Sequence, residues 1–235
     1  MDYKKKFYDI TNLVQQEFDR SLELYGDKIQ CRRGCSKCCS QIFRITPLDG
    51  WIISEHVKSL PDDERNILVE KAREYIEKQK ITTPPLPAPG LRQAGQPSPK
   101  GREAINSGEN EAGKSLSPLG RDLERGFGLP CPALGAEGEC TIYEARPVIC
   151  RRFGMPIYDY KNPGRVHACE LNFSDGEEIT DPMLIPNQTA IGMKWDKVKE
   201  EFNEILPLTK GESAKREEVG TTIAEAIVKA DKFTI

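Results

Sequence analysis

Four of the chain's eight cysteines fall within one run, Cys31-Arg32-Arg33-Gly34-Cys35-Ser36-Lys37-Cys38-Cys39. Thiolates are the softest ligands a protein offers. Four of them on a short loop let the backbone preset much of a coordination shell for zinc or an iron-sulfur cluster. The remaining four, Cys131, Cys140, Cys150 and Cys169, lie far along the chain and must be brought back by folding. A four-iron cluster or a tetrahedral zinc takes four thiolates, so eight supply either two sites or one polynuclear site with spare ligands. The side chains of the adjacent pair Cys38 and Cys39 are expected to diverge and to serve different metals or different edges of one cluster.

A disulfide framework is the alternative for an even number of cysteines. It belongs mainly to small secreted chains, and the vicinal pair suits ordinary bridging geometry badly. The amino-terminal stretch from Met1 to Ile10 is basic but lacks the apolar stretch of a secretory signal, and no run approaches the roughly 18 apolar residues of a membrane span. The expectation is a soluble cytoplasmic protein with no membrane partner, whose thiols stay reduced and bind metal.

Composition narrows the partners. The net charge of -3 over 235 residues gives no large field of either sign, which argues against a nucleic-acid binder driven by phosphate contacts. A hydrophobic content of 37% is low, so part of the chain is expected to lie outside any core.

Other side chains gain meaning from the cysteines. Four thiolates on a divalent ion leave a net charge of about -2, which nearby cations can offset. Arg32, Arg33, Arg146, Arg151 and Arg152 are placed in sequence to do this. Arg146 and Arg151 have the stronger claim because they bracket Cys150, and in an open site the same guanidiniums could hold an anionic substrate. His167, two residues before Cys169, is a candidate ligand or hydrogen-bond donor to one, with a partly exposed structural role as the alternative; His56 reads as surface. The tyrosines and Phe153 near the second half are expected to shield the metal from water.

Helices must position these groups. Phe7, Ile10, Val14 and Phe18 recur at steps of three and four, predicting an amphipathic helix over residues 3 to 25, with Gly26 as its left-handed stop. Gln41 to Ile45 reads as extended. Thr46-Pro47-Leu48-Asp49 has a cap, a first-turn proline and an acid, and starts a helix that buries Leu48, Trp51, Ile52 and Val57. Asp62, Asp63 and Glu64 start another, with an apolar stripe of Ile67, Leu68, Ala72, Tyr75 and Ile76. This pair is expected to form a hairpin over the first cysteine loop. Near the end, Trp195, Val198, Phe202 and Ile205, then Val219, Ile223, Ala226 and Ile227, predict two more helices.

Between the halves, residues 82 to 122 hold seven prolines and six glycines and almost no large apolar residues, the composition of a disordered insertion. Within it, Gly108 to Ser115 matches the letters of a phosphate loop. No hydrophobic strand precedes it, so nucleotide binding is not expected there. Order resumes at Cys131, where a glycine-rich turn separates Cys131 from Cys140 and a helical turn precedes Cys150. Three segments result: 1–81, 82–122 and 123–235, the first and third forming one metal-binding domain.

The order C-x3-C-x2-C-C, Cys131-Pro132-x-Leu134, Cys140-x-Ile142-Tyr143, Arg146-Pro147-x-x-Cys150-Arg151 and Cys169 resembles the cysteine-cluster proteins of the CxxCxxCC (YkgJ-like) family. That resemblance implies a zinc- or iron-chelating or iron-sulfur protein with the eight cysteines as ligands. A distant relative with the same cysteine pattern, flagellin lysine N-methylase, implies that some members are enzymes. No methyl-donor site is identifiable here, so that chemistry is not carried over. Cys31, Cys35 and Cys38 also match the triad of radical S-adenosylmethionine enzymes, but Lys37 stands where those carry an aromatic and no strand-helix barrel follows.

The sequence therefore predicts a mainly α, loop-rich single domain with few short strands, built around a cysteine-ligated metal centre. Its cofactor is a four-iron cluster or a zinc or iron ion. An electron-transfer or oxidoreductase role with a redox partner is the first expectation. A structural zinc or metal-handling protein acting through protein contacts is the second.

Overall fold

A computed structural model describes residues 2–32, 34–41, 44–82, 129–161, 163, 166–169, 171–174, 178–206 and 221–232. Among the described residues the chain is mainly helical, with two short strands. Helix α1 spans Tyr3–Tyr25 and is capped by Asp2, whose carboxylate accepts the Lys5 N–H at 2.9 Å. Its spacing of three and four buries Tyr3, Phe7, Ile10 and Val14. Gly26 is not the left-handed stop the sequence predicts: at φ -53° it stays right-handed and opens a 3-10 turn over Gly26–Lys28, so the axis tightens before it ends.

Helix α2, Pro47–Ser59, starts on a capping box in which the Thr46 hydroxyl accepts the Asp49 N–H and the Asp49 carboxylate accepts the Thr46 N–H. It buries Leu48, Ile52, Ile53 and Val57, with Trp51 only partly covered. Helix α3, Asp62–Thr82, buries Leu68 and Ala72, while Ile67 is 60% exposed and lies off the stripe assigned to it. α2 and α3 do not close directly into a hairpin. The short carboxy-terminal helix packs against both of them, and its Ala226 and Ile227 are fully buried. An isolated antiparallel bridge between Ile45 and Thr221 brings that helix into place.

Helix α4, Val148–Arg152, carries Cys150. Strands β1, Ile157–Tyr158, and β2, Val166–His167, form a two-stranded antiparallel ladder. Helix α5, Leu184–Ile205, lies along α1, where Tyr3 meets Phe202 and Phe7 meets Trp195 edge-on at centroid distances of 5.1 and 6.1 Å. The Glu17 carboxylate, 4% exposed, binds Arg20 at 2.6 Å and accepts from the Asn187 amide at 2.9 Å, pinning the same pair of helices. Ile205 turns outward, at 44% exposure. Helix α6, Ile223–Val228, is the short helix that contacts α2 and α3.

One apolar cluster joins Phe7, Ile53 and Val57 from the first half to Ala133, Ile142, Val148, Phe202 and Ile227 from the second. Each such fully buried large side chain contributes roughly 1.5–3 kcal/mol. The core thus draws both cysteine-bearing segments together. From residue 83 onward, the Pro-Gly insertion and the Gly108 to Ser115 match lie outside the described residues, as do Arg33 and Val219. Among the described residues no helix is long and apolar enough to cross a membrane.

Candidate metal centre

The first cysteine loop leaves the 3-10 turn after α1 and doubles back at Gly34, whose φ of +87° favours glycine. A turn closed by the Cys35 N–H on the Arg32 carbonyl sets Cys35, and a 3-10 turn over Lys37–Ser40 presents Cys38 and Cys39. The second segment docks on it through the Cys131 N–H, which donates to the Cys39 carbonyl at 2.7 Å. Leu134 and Cys140 then form an antiparallel bridge around a tight turn. In that turn Gly138 has φ +80°, and an added Cβ would lie 2.8 Å from the Gly34 carbonyl oxygen. The two cysteine segments therefore meet glycine to glycine.

Cys150 is fixed from below. Asp49, 1% exposed, uses its second carboxylate oxygen to accept the Val148 N–H at 3.0 Å, so one side chain caps both α2 and the helix bearing Cys150. Arg151 donates from Nε to the Arg146 carbonyl at 3.0 Å and from Nη2 to the carbonyls of Tyr143 and Glu144 at 2.7 and 3.1 Å. That fork holds the loop carrying Arg146, and Arg151 itself does not line the pocket. Arg152 turns away to the Tyr158 carbonyl and the Gln188 side chain.

Five cysteines, Cys38, Cys39, Cys131, Cys140 and Cys150, line one pocket of about 50 Å³ together with Arg146. Tyr75, Ile142, Pro147 and Ile223 supply apolar wall. Cys38 and Cys39 do not diverge as expected. The Cys39 thiol donates to the Cys38 sulfur, and this bond, with Arg146 acting in the same sense against burial, holds the Cys38 thiol down at about 6. The same bond pushes Cys39 up. Burial pushes Cys131 up to about 11 and raises Cys140 and Cys150 as well. Arg146 loses solvation, yet negative charge at Cys150, Cys38, Cys140 and Cys39 raises its pKa, so it stays a cation facing sulfur.

Cys31, Cys35 and Cys169 lie outside that pocket. Asn172, 5% exposed, ties their surroundings together. Its side-chain oxygen accepts the Gln30 N–H at 2.9 Å, its amide donates to the Gly154 carbonyl at 3.1 Å, and its backbone N–H donates to the Cys169 carbonyl at 2.8 Å. Gly154, at φ +103°, admits Cys31: an added Cβ would stand 2.5 Å from the Cys31 sulfur. Burial raises the Cys31 thiol, and charge at Cys35, Cys38 and Cys169 raises it further.

Arg32 and His167 are exposed. His56 is half-buried rather than surface. Burial lowers its pKa, and its enclosed Nε2 has no hydrogen-bond partner among the described residues. Among the described residues no three cysteine, histidine or acidic side chains are close enough to hold a metal ion as they stand. All eight thiols are free, and in type and number the donor set suits zinc or iron.

A family model whose description reads "Putative zinc- or iron-chelating domain" matches residues 30–170. The chain belongs to the CxxCxxCC family. Its matched span runs from just before Cys31 to just after Cys169, so every cysteine falls inside it. No curated protein and no solved structure matches the chain. Asp49, Gly154 and Asn172 position the CxxCxxCC cysteines, and only Asp49 had a signal in the sequence, as the acid of a helix cap. Gly154 meets Cys31 and Asn172 meets Gln30 across more than a hundred residues, for which no local pattern exists.

Proposed function

We propose that this chain is a metal-binding protein that holds iron or zinc through its eight cysteines, with an iron-sulfur cluster and an electron-transfer role as the first reading. The observation that carries it is the pocket in which five thiols from two distant segments face one half-buried guanidinium. Eight soft donors exceed what one tetrahedral ion uses, which favours a polynuclear or multiple arrangement. A bound iron-sulfur group would supply reversible one-electron storage.

The chain's own residues supply the surroundings. Arg146 offsets thiolate charge and is placed to hold an anion where the pocket opens. Arg151 keeps the Arg146 loop in position. Tyr75, Ile142 and Ile223 keep water from the sulfurs, which tunes a cluster's potential. Displacing the protons held by Cys131, Cys140 and Cys150 is part of binding, because only thiolates ligate.

The second reading, structural zinc, is favoured by the short turns that carry the ligands, since metal binding and folding of such segments are one equilibrium. Anaerobic purification with metal and sulfide analysis separates the two. Brown protein containing iron and acid-labile sulfide supports the cluster, and colourless protein with stoichiometric zinc overturns it. Protein without either metal overturns metal binding itself.

A further inference from the structure

We infer that the thiol pocket opens to solvent through the groove between α3 and residues 129–134, and that this groove admits small anions bearing a carboxylate or thiolate in preference to bare cations. The metal-binding reading above supplies only what such an anion would carry, a chelated metal. The route itself follows from the shape of the molecule.

Two cavities meet at one wall. The outer one, of about 260 Å³, lies between Lys71, Glu74 and Lys78 of α3 and the chain from Leu129 to Leu134. The inner one is the pocket of about 50 Å³ lined by five thiols. Tyr75, Cys131 and Pro132 line both. Pro132 is buried and its ring is rigid, whereas Tyr75 is half-buried, so Tyr75 is the side chain that can turn aside and let a molecule past Cys131.

Charge along this route has one sign. Glu74 is paired to Lys78 at 3.1 Å, which leaves the exposed Lys71 as the unmatched charge of the rim. Thiols apart, the charged side chain of the inner pocket is Arg146. A cleft with cations at its mouth and at its end concentrates anions and repels a bare divalent ion. Size selects further. At about 260 Å³ the groove is smaller than the roughly 300–1,000 Å³ of a drug-sized ligand site, so it suits a small anion and not a peptide.

The test alkylates full-length protein, reduced and freed of metal by a chelator, with iodoacetate and with iodoacetamide, which differ in charge and little in size. Each thiolate forms a carbon–sulfur bond and expels iodide, and peptide mass spectrometry gives the rate at each cysteine. In Lys71→Glu at low ionic strength, the ratio of iodoacetate to iodoacetamide rates at Cys131 should fall by about twofold or more. The ratio at Cys35, which lines neither cavity, should stay at its wild-type value. An unchanged ratio at Cys131, or an equal fall at both cysteines, overturns the anion preference. Tyr75→Ala should speed both reagents several-fold at Cys131 and Cys140 and leave Cys35 as it was. Unchanged rates at Cys131 and Cys140 would mean that the pocket opens on another side, by Gln41 and Thr222, and overturn the route. Lys71 is exposed, so Lys71→Glu decides the matter even if Tyr75→Ala fails to fold. Labelling reads free thiols and needs no metal. Protein that binds neither zinc nor iron overturns the proposed function and leaves the route standing, whereas the adverse labelling results overturn the route and leave metal binding standing.

Discussion

Cys131, Cys140 and Cys150 sit on backbone that the core holds: a bridge, a docked turn and a helix whose first N–H ends on a buried carboxylate. Cys31, Cys35 and Cys169 sit on irregular backbone gathered chiefly by one asparagine and one glycine. The difference lies in redundancy. Removing one contact from the pocket set leaves others in place, whereas the loop set hangs on few bonds, so local opening should begin there.

The largest effect should come from the better-held set. On the proposed metal-binding function, Cys150→Ser removes a ligand on the helix that joins both halves, and the resulting loss of metal should cost more than about 4 kcal/mol of stability in denaturant titration. Cys35→Ser should also lose metal, with a smaller loss of stability because, among the described residues, its loop contributes no side chain to the apolar core. Equal destabilisation by the two variants would erase the contrast, and unchanged metal content in both would remove the cysteines as ligands.

Gly154→Ala tests the loop set alone. Its φ of +103° costs an L residue about 1–3 kcal/mol, and the new methyl would strike the Cys31 sulfur. A thiol reagent should then label Cys31 faster and leave the rate of labelling at Cys140 unchanged. Acceleration of both rates would mean that the sets are one structure.

The family's cysteine pattern and the α2 cap were legible in the sequence because their signals are local. The run Cys31 to Cys39, the Arg146-Pro147 step and the Thr46–Asp49 cap are each read from a few neighbouring residues, and the structure keeps the cap bond for bond. The buried faces of α1 and α5 followed from periodicity. What escaped depends on distant partners. Ile67 fits the stripe of α3 by spacing and is nevertheless 60% exposed, while Leu68 and Ala72 are buried in the cluster to which α6 contributes Ala226 and Ile227. Asp49 is visible as a cap but not as the acceptor for Val148, and nothing near Asn172 announces Gln30 or Gly154.

Asp49→Asn probes the reserve on the pocket side. The amide offers one oxygen where the carboxylate offers two, so a buried N–H at Thr46 or Val148 loses its partner at a cost of about 1–3 kcal/mol. The variant also carries a pH signature. Burial raises the Asp49 carboxyl above its ordinary 3.8, against hydrogen bonds from Thr46 and Val148. A carboxyl with a higher folded pKa holds its proton more tightly when native. Its contribution to stability is complete below the unfolded pKa and fades as pH rises through the folded one. Stability of the wild type should therefore decline from 3.8 upward more than that of Asp49→Asn. Parallel curves would show that Asp49 does not titrate in this window.

Arg151→Lys should give the smallest change and the sharpest localisation. The guanidinium reaches three carbonyls and stacks over Tyr143 at 5.2 Å. An ammonium keeps the charge but cannot fork, so the loss is on the order of 1 kcal/mol, the net value of a hydrogen bond or two. What loosens is the Tyr143 to Arg146 loop, and with it the cation beside the pocket thiols, while no bond around Asn172 changes. Thiol labelling of Cys140 should quicken modestly and labelling of Cys31 should stay at the wild-type rate. If Cys31 labelling quickens more than Cys140 labelling in Arg151→Lys, the Arg146 charge is acting on both groups of cysteines, which are then coupled electrostatically.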